Sequence, residues 1–174
     1  MAEYTYNTIV SKAESIKENA EKHQKKPSQT WLYYIGKSIL NPKKNIKKIS
    51  ISNAENSRGN DFSRQIKKSD YMDMAERFTK YVEKNHKIPN YIGIGSKKMR
   101  VSDYAYMFSN VLVYYDEHGK FPSEVDVNSK VYVKPTETKS TVLNLWINTF
   151  KFTPKYLDDI CDYIFAVVIG CGCI

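Results

Sequence analysis

Apolar side chains in the middle of this chain recur at Tyr71, Met74/Ala75, Phe78 and Tyr81/Val82, and again at Tyr104, Met107/Phe108, Val111 and Tyr114/Tyr115. Steps of three and four place one stripe on one side of a helix, because a helical turn takes 3.6 residues. The pattern predicts two amphipathic helices with Tyr71, Phe78, Tyr104 and Phe108 in the core. Ser69 and Ser102 stand where a hydroxyl caps the first free N–H groups, and Asp70 and Asp103 suit the positive end of the helix dipole. Gly119, and His86 in the earlier segment, fall where the chain leaves its helix through a left-handed turn. Pro89 and Pro122 then forbid continuation and push Ile88 and Phe121 toward extended backbone.

Beyond each proline the alternation changes. Residues 91–94 and 98–101 flank Gly95-Ser96, while 125–127 and 131–133 flank Asn128-Ser129, and each pair predicts a small hairpin. Residues 69–91, SDYMDMAERFTKYVEKNHKIPNY, align with 102–124, SDYAYMFSNVLVYYDEHGKFPSE, at an offset of 33, so one unit has been copied. A unit this small cannot bury its apolar face alone, and stacking on neighbours solves that problem. Upstream, AEKHQKKP at 20–27 resembles VEKNHKIP at 82–89, after a predicted helix from about Tyr6 to His23. Another helix opens at Trp31-Leu32-Tyr33-Tyr34-Ile35 after three polar residues, so that copy has lost its hairpin. Downstream, Val142/Leu143, Trp146 and Thr149/Phe150 repeat the stripe, and Lys151-Phe152-Thr153-Pro154 the stop. Residues 41–64 form a loop or linker with a candidate strand at Ile46–Ile51.

The fold class expected is mainly α with short β-hairpins (α+β), built from tandem helix–turn–hairpin repeats stacked side by side. The chain divides into a degenerate N-terminal repeat with a lysine-rich loop (1–68), the repeats proper (69–152) and a C-terminal segment (153–174).

Charge adds a preference for polyanions. The net charge is +8, and between Glu21 and Glu55 there are eight lysines and no acidic residue. Such a field attracts nucleic acid, anionic lipid or acidic polysaccharide without choosing among them. Lysine outnumbers arginine 23 to 4 and there are 14 tyrosines. Readers of phosphates and base edges favour the Arg fork, whereas Lys with flat amphipathic Tyr rings suits carbohydrate at least as well. A nucleic-acid reading would use the tract from Lys22 to Lys48, with Tyr33 or Tyr34 stacking on bases. The longest apolar run, Tyr163–Ile169, is far shorter than the roughly 20 residues of a spanning helix, and the polar opening Met1–Tyr4 has no signal-peptide core.

Catalysis and metal binding find little support. His23, His86 and His118 are widely spaced, and the last two sit at helix ends, where capping explains them. Cys161 lies among Asp158, Asp159 and Asp162, whose charges disfavour its thiolate. Cys171-Gly172-Cys173 lacks the further ligands of a zinc or redox site. Gly93-Ile94-Gly95 belongs to a hairpin turn and lacks the third glycine and following helix of a phosphate loop. No cofactor, no metal and no catalytic residue is expected in this chain.

The Ser-Asp-Tyr openings, Tyr71-Met72-Asp73-Met74-Ala75-Glu76-Arg77-Phe78 and then Tyr81-Val82-Glu83-Lys84-Asn85-His86-Lys87-Ile88-Pro89-Asn90-Tyr91 resemble the pseudomurein-binding repeat of methanogen surface proteins and provirus pseudomurein endoisopeptidases. The likeness is good over 69–133 and loose over 4–40. It implies non-catalytic binding to pseudomurein, an anionic archaeal wall polymer, by a protein made without a signal peptide and acting at the wall. In the endoisopeptidases such repeats precede a cysteine-peptidase domain with a Cys-His-Asp triad. Residues 153–164 are similar to the helix that opens that domain, but its body does not follow. A surface adhesin fragment built on the same repeats is a further alternative, and self-association into a homodimer stays open.

For such a ligand the candidate contacts are Tyr91, Tyr106 and Tyr115, with Lys87, Lys97, Lys98, Arg100 and Lys120. Tyr106 and Tyr115 fall partly off the stripe. Tyr91 either lines a groove or packs the hairpin on its helix, and its counterpart Glu124 breaks the pattern. Tyr71, Phe78, Pro89, Tyr104 and Pro122 are assigned to the repeat scaffold.

Overall fold

The computed structural model describes residues 2–132. The stripe at 142–150, the stop at 151–154, the segment 153–174 and its three cysteines lie outside the described residues. In chain order the elements are β1 (Glu3–Tyr4), α1 (Tyr6–His23), α2 (Leu32–Leu40), β2 (Ile46–Lys47), β3 (Ser63–Lys67), α3 (Lys68–Asn85), β4 (Tyr91–Ile94), β5 (Lys97–Arg100), α4 (Val101–His118) and β6 (Glu124–Asn128). A 3₁₀ turn, Ser129–Tyr132, follows. The fold is mixed α+β, four helices with short antiparallel strand pairs. None of the described helices is long and apolar enough to cross a membrane.

The three long helices share one plan. Each of α1, α3 and α4 has 18 residues, follows a strand, and ends on a left-handed residue: Gln24 at φ 50, His86 at φ 51 and Gly119 at φ 69. A proline stands three positions later, at Pro27, Pro89 and Pro122. In α3 the buried set is Tyr71, Met74, Ala75, Phe78, Thr79 and Val82, the stripe expected from the spacing. In α4 burial runs almost all round from Val101 to Val113, because α1 packs on one side and α2 on another.

The helix starts differ from expectation. The caps of α3 and α4 are Lys67 and Arg100, both extended and neither capping with its side chain, while Ser69 and Ser102 lie inside the first turn. Each helix leaves its strand directly, and its first free donor finds a loop: Lys68 N–H donates to the Ser123 carbonyl at 2.8 Å, and Val101 N–H to Ser57 Oγ at 3.3 Å. With those donors satisfied elsewhere, no serine cap is needed. Asp70 and Asp103 do occupy the first turns.

The first hairpin, β4 with β5 about Gly95-Ser96, is present, with Tyr91 opposite Arg100 and Ile94 opposite Lys97. The second is not. β6 pairs instead with β3, Lys67 opposite Glu124 and Ser63 opposite Asn128, and the 3₁₀ turn takes the place of the returning strand. β3 carries the same Ile66 position that Met99 fills in β5, so it offers β6 a partner with a ready apolar face.

The two copies therefore interlock. Adding 33 to Lys67 and Tyr91 gives Arg100 and Glu124, so the Tyr91–Arg100 rung of β4–β5 is the counterpart of the Glu124–Lys67 rung of β3–β6. Each copy is a strand, a helix and a strand, and each lends its outgoing strand to the other's incoming one. In the N-terminal part β1 pairs with β2 across α1 and α2, without an inner hairpin. One core runs through all of this: Ile9, Leu32, Ile35, Phe62 and Ile66 join Tyr71, Phe78, Tyr104 and Phe108. The rings of Phe78, Tyr104 and Phe108 stand 5.5–6.0 Å apart at tilted angles.

Candidate functional site

Strand alternation sorts the β4–β5 hairpin. Ile92, Ile94 and Met99 are buried, which turns Tyr91, Gly93, Lys98 and Arg100 to the outer face. Arg100 is already engaged, donating to Asp61 at 2.6 Å and to buried Asp103 at 3.2 Å. Lys98 is exposed, its ammonium 4.6 Å from the centre of the Tyr91 ring. The Arg58 guanidinium lies 5.8 Å from the same ring. Neither Lys98 nor Arg58 has a carboxylate partner among the described residues. Nothing lies within 4 Å of the place where a Cβ on Gly93 would point, so the floor between Tyr91 and Lys98 is open.

A groove of about 150 Å³ runs from this face along α3, lined by Arg77, Tyr81, Pro89, Tyr91 and Gly93 over Phe78. Arg77 spans it, its Nε donating to Asp73 at 2.7 Å and an Nη to the Gly93 carbonyl at 3.0 Å. Tyr81 forms the far wall and is 42% exposed, the one strongly exposed large hydrophobic side chain among the described residues. Two aromatic rings, three cations and an uncovered strand backbone thus border one channel. Such a set can stack on a flat apolar ring face and hydrogen-bond to substituents at its rim.

Other expected contacts lie elsewhere. Tyr106 is not at the surface: it is 6% exposed, its hydroxyl donates to Glu21 at 2.8 Å, and burial pushes its pKa to about 12. The packing of α1 on α4 covers it. Tyr115 is half-buried and stacks on Phe121 with centres 4.3 Å apart. Lys87 pairs with Glu55 at 2.6 Å, Lys97 lies 5.7 Å from the Phe62 ring, and Lys120 is exposed beyond Gly119. Tyr91, Lys98 and the engaged Arg100 are the expected residues that share a face. Pattern reading missed Tyr81, Arg77 and Arg58. A signal existed for the first two: Tyr81 and Val82 are adjacent, so only one of them can face the core, and Arg77 lies one turn before Tyr81.

The lysine-rich segment folds differently from a stacking platform. Tyr33 and Tyr34 are 4% and 6% exposed, donating to Glu83 at 3.0 Å and to the Ile49 carbonyl at 3.0 Å. They are not available to stack on bases. A cleft of about 410 Å³ nearby is lined by Lys37, Lys44 and Lys47, but also by Glu83 and the helix-end residues Asn41 and His86. Burial works against the Glu83 charge, yet hydrogen bonds from Lys37, at 2.5 Å, and Tyr33 outweigh it and hold the carboxyl below its usual range. Two helix C-termini with their negative dipole ends further weaken the cleft for anions.

Compared with protein-family models, residues 63–94 match the pseudomurein-binding repeat. This chain carries a pseudomurein-binding repeat. The match begins with the first residue of β3 and ends with the last of β4, so the repeat is a strand–helix–strand unit, shifted in phase from the helix–turn–hairpin unit expected from sequence. It holds Arg77, Tyr81, Tyr91 and Gly93 of the groove. No curated protein and no solved structure matches the chain. A pseudomurein-binding repeat associates the chain with the archaeal cell wall and with pseudomurein as its target.

Proposed function

We propose that this chain binds pseudomurein without cleaving it, as the substrate-targeting part of a pseudomurein endoisopeptidase that lyses the wall. The observation that carries the reading is the repeat at 63–94, in which an exposed ring pair and free cations border one groove. Within the chain, residues 69–152 do the binding, 1–68 brace them, and 153–174 lead toward a peptidase domain of the parent protein. Of the residues singled out from sequence, Tyr91 and Lys98 contact the wall directly. Each contact contributes little, about 1 kcal/mol or less for an exposed charge pair, and repeated units on a repeated polymer compensate through effective concentration.

Sedimentation with isolated methanogen sacculi tests this. The chain should pellet with the walls and release no new amino groups from them. Retention in the supernatant would end the proposal.

A further inference from the structure

The interlocked copies provide a comparison within one molecule. The partner of the Tyr91 face, 33 residues on, lies on β3–β6, with the same backbone register and opposite chemistry. Glu124 replaces Tyr91, Asp126 replaces Gly93, and Gln65 stands where Lys98 does. Tyr114, the counterpart of Tyr81, is stacked on His118 with centres 4.0 Å apart and planes 14° apart, so its face is taken. One face is aromatic, open-floored and cationic. The other is acidic and has no free ring.

We propose that the Tyr91–Gly93–Lys98 face with the Tyr81 groove is a binding site for a sugar ring bearing a carboxylate, and that its counterpart on β3–β6 has lost this capacity, so a pair of repeats offers one site rather than two. This rests on the wall-binding reading above and assigns it a place and a ligand class. A pyranose ring has a flat C–H face suited to the Tyr91 ring, and the missing side chain at Gly93 leaves room for it against the strand. Its carboxylate meets Lys98 and Arg58, two cations with no acidic partner among the described residues, in charge-assisted contacts. At the counterpart, Asp126 fills the floor with a carboxylate, and Glu124 supplies a like charge where the stacking ring should be.

The test is an NMR titration of the full chain with short oligogalacturonate, run against the neutral oligogalactose of equal length. The expected result is saturable shifts at Tyr81, Tyr91, Gly93 and Lys98 with the acidic oligomer, far weaker ones with the neutral, and none at Glu124 and Asp126. Tyr91→Glu, Gly93→Asp and Lys98→Gln each install the residue that the counterpart face already carries in the same register, so the fold accommodates them. Each should weaken the acidic oligomer by about tenfold or more, the equivalent of one lost contact of about 1.4 kcal/mol. Equal binding of both oligomers, shifts at Glu124 or Asp126, or unchanged affinity in all three variants would overturn the inference. If the chain still sediments with walls while the titration fails, only this inference falls; if both fail, the wall-binding reading falls too.

Discussion

The Tyr71 hydroxyl donates to the carbonyl of Pro122 at 2.5 Å, and the Tyr104 hydroxyl to the carbonyl of Pro89 at 2.8 Å. Each tyrosine opens the helix of one copy, and each proline stops the helix of the other. The sequence separation of 33 thus becomes a reciprocal tie: the residue that begins one unit fixes the residue that ends its neighbour. The strand exchange follows from it, because a carbonyl held at the proline aims the next residues, Tyr91 or Glu124, along the partner's incoming strand.

Removing either hydroxyl tests that tie. Tyr71→Phe should destabilise the protein by about 1–3 kcal/mol, since it leaves the Pro122 carbonyl buried without its donor. Tyr104→Phe should cost less, because its bond to Pro89 is only partly buried. Urea denaturation with fixed slope measures both. Equal and negligible losses would mean that the strand pairs alone hold the copies together.

The helix stops make a second comparison. His86 and Gly119 occupy one role at φ 51 and φ 69, but only glycine takes that conformation without a Cβ penalty. His86→Gly should raise stability by roughly 0.5–1 kcal/mol, and Gly119→Ala should lower it by about 1 kcal/mol, with nothing within 4 Å of the new methyl to confuse the reading. Thermal melts of the two variants should move in opposite directions; a shift of the same sign in both would contradict the shared geometry.

Gly59 serves a different need. A Cβ there would stand 2.4 Å from the Lys98 carbonyl, which is the acceptor for the Asn60 N–H at 2.8 Å. Asn60 Oδ1 in turn accepts from Lys98 N–H at 2.9 Å, so the 54–62 loop covers the free edge of β5. Gly59→Ala should push this loop off the strand, costing about 1–3 kcal/mol, and expose the Lys98 amide to rapid hydrogen exchange. Unchanged protection at Lys98 would show that the loop is dispensable.

Periodicity within an element was readable, and pairing between elements was not. The stripes of α1 and α3 placed Ile9, Ala13, Tyr71 and Phe78 in the core because a helix reports its buried face locally. The left-handed ends at His86 and Gly119 were likewise local. The partner of β6 was hidden because Ile66 and Met99 are equally good apolar neighbours, and only the interlock decides which strand Val125 meets. Tyr106 was misplaced for a related reason. A single stripe predicts one covered face, whereas α4 has two helices against it. Tyr81 escaped notice in the groove because the stripe accounted for it, although Val82 fills that place.

Asp103 supplies a prediction in pH. It is fully buried, with Ser129 Oγ donating to it at 2.8 Å, Arg100 Nε at 3.2 Å and the Tyr132 hydroxyl as a third donor; Asp61 lies beyond Arg100. Burial raises its pKa above the ordinary 3.8, and the hydrogen bonds from Ser129 and Arg100 only partly offset that. The folded state then keeps a proton that the unfolded chain has lost. Its contribution to stability is fully present below pH 3.8 and declines as pH rises through the folded value. Glu83 has the opposite sign: its lowered pKa stabilises the fold above 4.5 and is lost as pH falls through the folded value. Asp103→Asn cannot titrate, so the stability of the wild type relative to this variant should fall as pH rises from about 4 toward neutrality, whatever the variant costs at any one pH. Relative to Glu83→Gln the same wild type should instead gain as pH rises through the acidic range. Urea midpoints of the three proteins across that range decide it, and a wild-type advantage over Asp103→Asn that grows with pH would show that the bonds to Ser129, Tyr132 and Arg100 outweigh burial.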